Sequence, residues 1–151
     1  MIPCMDFIPA YSELFKFLHE RGGRRAVLEF WHYLSDNFLN NLRDLVRQHG
    51  LRGCWLYWSH TLNEEAADFT MELDERAGEF RILMHKCPSK SLLLNCKHVE
   101  PYDDYCGHCD VLYRRVLEPL GLECTTDMSH CDQARCSFLV RRRNGASPGH
   151  N

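Results

Sequence analysis

The sequence predicts an α+β domain: N-terminal helices packed on a four-stranded, largely antiparallel sheet, with one cysteine-bearing helix inserted between the strand pairs. Three observations predict it. Apolar residues recur every three or four positions through the first half of the chain. The period falls to two between Asp68 and Met84. A second helical stretch followed by two short apolar runs then completes the pattern. The 151 residues fit one domain, read as residues 1–143, with a polar tail at 144–151 expected to be disordered.

Ser12 is placed to cap a helix through "ELFKFLHE" that Gly22 and Gly23 stop. From Arg24 to His49, residues Val27, Phe30, Trp31, Leu34, Phe38, Leu42, Leu45 and Val46 form one apolar stripe, interrupted at Ser35-Asp36-Asn37 and closed at Gly50. "GCWLYWSH" reads equally as strand or helix, and "NEEAAD" as a short helix-favouring connection. Phe69, Met71 and Leu73 alternate with polar residues, "DERAGE" supplies a turn, and Phe80, Ile82 and Met84 alternate on the way back, which is a β-hairpin. After Cys87-Pro88 comes a loop with a short turn at "SLLLN". Asp103 or Asp104 is then expected to cap a helix reaching about Glu118, which Pro119 and Gly121 end. "LECTTDM" and "CSFLVRR" read as the last two strands.

Lys plus Arg number 18 against 21 Asp plus Glu, a net charge of −3, so no general attraction to nucleic acid or to an acidic membrane is expected. No apolar run approaches bilayer length, and the N-terminus lacks the basic and apolar segments of a secretion signal. The expectation is a cytoplasmic protein in a reducing compartment. There, nine cysteines, an odd number, point to metal binding or catalysis more than to disulfides. Seven of the nine lie from Cys87 onward.

"YCGHCD" concentrates that signal. On a helix starting near Asp104, Cys106, Cys109, Tyr113, Val116 and Leu117 share one face, with both thiols in the first turn where the helix dipole favours thiolate. Cys87, Cys106, Cys109, Cys131 and Cys136 are the candidate metal ligands. Four converging sulfurs would close a zinc or iron–sulfur site, and three would leave a position open for chemistry. His85, His108 and His130 each stand near a cysteine and could replace one sulfur, while Asp110 could orient His108. The plainer alternative is that the thiols are small buried hydrophobes, the reading preferred for Cys4, Cys54, Cys96 and Cys124. Core packing is likewise preferred for Trp31, Trp55 and Trp58, and a solvated loop for "RGGRR". A thioredoxin-like pair does not fit, because no βαβ unit surrounds the Cys-x-x-Cys.

Cys-Pro after a strand, "YCGHCD" opening a helix, "GLE" leading into a strand and "CDQARCSFLV" as the last strand resemble the L-2-amino-thiazoline-4-carboxylic acid hydrolase-like family. The outline is also similar to the four-vinyl-reductase type of small-ligand domain. The resemblance covers roughly Phe80 to Val140 and implies that Cys87, Cys106, Cys109 and Cys136 line a functional site, with Asp110 and Asp132 nearby. Ser89 departs from the aromatic residue that often follows Cys-Pro, and Cys131 from a glycine.

Two functional expectations result. One is a cysteine-dependent, metal-assisted or metal-free hydrolase of a small amidine-, thiazoline- or amide-type substrate. Its nucleophile is Cys106 or Cys109, its acid/base His108 or His85, and Asp110 orients. The other is a non-catalytic domain that binds zinc, an iron–sulfur cluster or a small ligand. Both take a small molecule or metal as partner.

Overall fold

In the structure, a computed structural model, residues 6–143 are described; Cys4 and the tail at 144–151 lie outside them. Helix α1 (Phe7–Asn37) is two helical segments joined at Gly22 and Gly23, where Gly23 takes φ +64°, a conformation open to glycine and strained for other residues. Ser12 lies well inside the first segment. It is fully buried, and its hydroxyl accepts the backbone N–H of Tyr102 at 2.8 Å, so it ties a distant loop to the helix and caps nothing. Helices α2 (Asn40–His49) and α3 (Leu51–Glu64) follow, separated by Gly50 at φ +59°. "GCWLYWSH" is therefore helical. Gly53 lets α3 approach α2: a Cβ there would stand 2.3 Å from the Leu45 carbonyl oxygen.

The hairpin forms as expected from β1 (Asp68–Asp74) and β2 (Glu79–Lys86), with Leu73 opposite Phe80 and Met71 opposite Ile82. The Asp74 carboxylate accepts the N–H groups of Arg76 and Ala77 and so shapes the turn. The stretch read as a loop after Cys87 is helix α4 (Pro88–Asn95). Pro88 occupies its first turn, and the Cys87 sulfur accepts the Lys90 N–H at 3.5 Å. Helix α5 (Gly107–Leu117) begins later than the sequence suggests. Neither Asp103 nor Asp104 caps it, because the Asp104 carboxylate is taken by Arg24 of α1.

Strands β3 (Leu122–Asp127) and β4 (Cys136–Arg142) complete an antiparallel sheet of order β1-β2-β4-β3. Its inner face carries Phe80, Ile82, Phe138, Val140, Leu122 and Cys124, all buried, against the helices. The other face pairs opposite charges, with Arg141 donating to Glu79 at 2.8 Å and Glu72 opposite Arg81. The α+β class and the helix-covered antiparallel sheet are thus as the sequence predicts. No helix among the described residues is long and apolar enough to cross a membrane.

Candidate functional site

Helix α5 distributes its chemistry by face. His108 points toward α1 and lies among the rings of Tyr105, Tyr11, Phe15 and Trp31, with centroids 4.8, 5.6, 5.7 and 6.3 Å away. Its Nδ1 meets the Tyr105 carbonyl, which only accepts, so Nδ1 carries the proton and Nε2 is left as an acceptor. That Nε2 lies 3.4 Å from the Cys109 sulfur. Burial in this aromatic surround lowers the His108 pKa and outweighs the backbone hydrogen bond and the nearby Asp104 and Glu65 carboxylates, so the ring is neutral near pH 7.

Cys109 and Tyr113 face the other way, into a cavity of ≈ 730 Å³ between the helices and the inner face of the sheet. Cys109 presents accessible surface although it lies deep in the protein; that surface belongs to the cavity wall. Apolar and aromatic side chains dominate the lining, among them Leu34, Tyr57, Trp58, Met84, Leu112 and Phe138. All five candidate thiols are in it. Cys87 arrives at the end of β2, tied to the Ala134 carbonyl by its backbone N–H at 2.7 Å. Cys136 pairs with Met84 across β2 and β4 and shares its inward face. Cys131 stands in the 3-10 turn Cys131–Gln133, beside the Cys106 thiol.

Convergence on one cavity is therefore present, but ligand geometry is not. Among the described residues, no group of three or more His, Cys, Asp or Glu side chains could hold a metal ion. The five thiols therefore share the cavity without forming a ligand group of the kind a closed zinc or iron–sulfur site needs.

The expected low-pKa thiol is also corrected. Burial pushes Cys109 up to about 12, helped by the Glu65 and Asp110 carboxylates, and pushes Cys136 to about 12 and Cys87 to about 11. Cys106 and Cys131 are raised as well, in each case chiefly by burial. The favourable position at a helix start is outweighed because the cavity wall is mainly apolar and, among the described residues, no cation acts on Cys109.

Asp110 does not orient His108. Its carboxylate accepts Arg114 at 2.7 Å and Thr126 at 2.6 Å; burial alone would raise its pKa, and these hydrogen bonds outweigh it and leave it lowered. It lines a separate recess with Arg114, Arg115 and Glu118. His85 lies on the outer face of the sheet, 2.7 Å from the Thr70 hydroxyl, and His130 and Asp132 are exposed and outside the cavity lining. "RGGRR" is engaged in ion pairs, Arg24 with Asp104 and Arg25 with Glu29.

Sequence reasoning missed Tyr57, Thr61 and Glu65 as cavity residues, and Trp58, assigned to the core, is both buried there and part of the lining. Their signal was present: Tyr57, Thr61 and Glu65 are spaced by four, one face of a helix, once "GCWLYWSH" is known to be helical. Compared with family models, curated proteins and solved structures, the chain matches none.

Proposed function

We propose that this chain is a small-ligand-binding domain whose ligand occupies the cavity between α3, α5 and the sheet. The observation that carries the reading is the cavity itself. Its ≈ 730 Å³ falls within the ~300–1,000 Å³ usual for small-molecule sites, and a mainly apolar wall with few polar groups is the usual lining. Met84→Trp, a substitution on the inward face of β2, tests it by filling the space. Calorimetric titration with 2-naphthalenemethanol is expected to give saturable one-to-one binding to the native protein and none to the variant, both folded by circular dichroism. Equal binding to both, or none to either, removes the reading.

The Cys109–His108 pair favours a second reading, a cysteine-dependent hydrolase acting on the bound molecule. With Nδ1 fixed on the Tyr105 carbonyl, Nε2 is oriented to take the Cys109 proton as sulfur adds to an amide-, amidine- or thiazoline-type carbon, to pass it to the nitrogen or sulfur that departs as its bond to that carbon breaks, and to deprotonate the water that then frees the thiol. The high thiol pKa and low imidazole pKa make the resting pair neutral, so proton transfer would accompany attack and not precede it. In this reading Cys109→Ala abolishes turnover of a substrate and leaves its affinity within about threefold, since only one small wall residue changes. Retained turnover would leave the binding reading alone.

A further inference from the structure

The cavity wall carries an uncompensated charge. Glu65 follows α3 as its C-cap residue and lines the cavity at its solvent-exposed edge, and among the described residues no hydrogen bond or ion pair engages its carboxylate. It is close enough to Cys109, His108, Tyr57 and Tyr113 to perturb the protonation of all four. Three of the neighbouring rings stand together: Trp58 lies 5.0 Å from Tyr113 and 5.3 Å from Tyr57, and Tyr57 lies 6.4 Å from Tyr113 between centroids.

A carboxylate at the edge of an apolar space, partly shielded from water and without a counter-charge, gains when a cation arrives. Among the described residues no cation pairs with Glu65, and His108, the basic group that acts on it, is held neutral by its aromatic surround. Lys90 also lines the cavity, but the thiols it perturbs are Cys106 and Cys131, at the helix start and the 3-10 turn. Arg135 follows that same turn. The positive groups therefore mark the Cys106–Cys131 end, and the Glu65 end is left to the ligand. Aromatic rings beside a carboxylate add attraction for a cation through their negative faces.

Resting on the ligand-binding reading above, we infer that the ligand carries a basic nitrogen: a protonated amine set at Glu65 beside Tyr57, Trp58 and Tyr113, on an apolar body that extends along the thiol-lined wall. Two probes with the same body separate this from binding in general. 2-Naphthylmethylamine, protonated at neutral pH, is expected to bind native protein about tenfold more tightly than 2-naphthalenemethanol. Glu65→Gln is expected to abolish that preference, so that the two probes bind the variant with equal affinity. Equal affinities in the native protein, tighter binding of the alcohol, or a preference that survives Glu65→Gln would each overturn the inference and leave cavity binding intact. Failure of both probes would overturn the cavity-binding reading and this inference with it.

Discussion

Residues of α5 turned toward α1 and residues turned toward the sheet meet different surroundings. On the α1 side, His108 lies against Phe15 and Trp31, both fully buried. The Ser35 hydroxyl bridges the Trp31 and Leu112 carbonyls there at 3.0 and 3.2 Å, while the buried Trp31 Nε1 has no hydrogen-bond partner among the described residues. On the sheet side, Cys106, Cys109 and Tyr113 border open volume. The wall opposite sets further small side chains, Cys87, Cys131, Cys136 and Ala134, among larger ones such as Ile82, Met84 and Phe138. The comparison teaches that the thiol cluster shapes this protein first by its size. Five side chains of one sulfur each keep a space open that leucines would fill.

That contrast is broken most directly by deletion. Phe15→Ala removes a ring from the filled side and is expected to cost about 3–5 kcal/mol in denaturant unfolding. Cys109→Ala on the hollow side should stay within about 0.5 kcal/mol of native, because its sulfur already borders empty space. Comparable losses from both would mean that the cavity collapses around Cys109 and is not a standing feature.

A smaller effect sharpens the electrostatic side of the comparison. Burial raises the Glu65 pKa, aided by Glu64 and opposed by His108, so the folded protein holds that proton more tightly than the unfolded chain does. The group's contribution is fully favourable below the ordinary glutamate range and is lost as pH rises through the folded value. Glu65→Gln escapes that loss. Its melting temperature should exceed the native one at neutral pH, and the gap should close as pH falls below the ordinary glutamate range. No gap at neutral pH would show that Glu65 is solvated like any surface carboxylate, and a gap that persists in acid would show that it does not arise from ionisation.

The sequence by itself determined the elements whose signals are local. The hairpin was legible because Phe69, Met71, Leu73 and Phe80, Ile82, Met84 alternate about a turn that Asp74 closes with its own carboxylate. The break at Gly22-Gly23 and the stop at Gly50 were legible because positive φ is a property of glycine itself. The gathering of thiols was legible as composition, and the five candidates do share one cavity.

What the tertiary structure decided was how each side chain is used. Ser12 and Asp104 both look like helix caps, and each is claimed by a partner some eighty or ninety residues away, Tyr102 and Arg24. Helix α4 is too short to be stable alone and owes its place to packing against α1, so its sequence read as a turn. Cys109 sits at a helix start, where local geometry favours thiolate, yet its protonation is set by the apolar wall and by Glu65 on another helix. Periodicity and turn chemistry act between neighbours and survive in one dimension. Dielectric, enclosed volume and the choice of partner arise only when distant segments meet, which is why the cavity and its unpaired carboxylate could not be read before the fold was known.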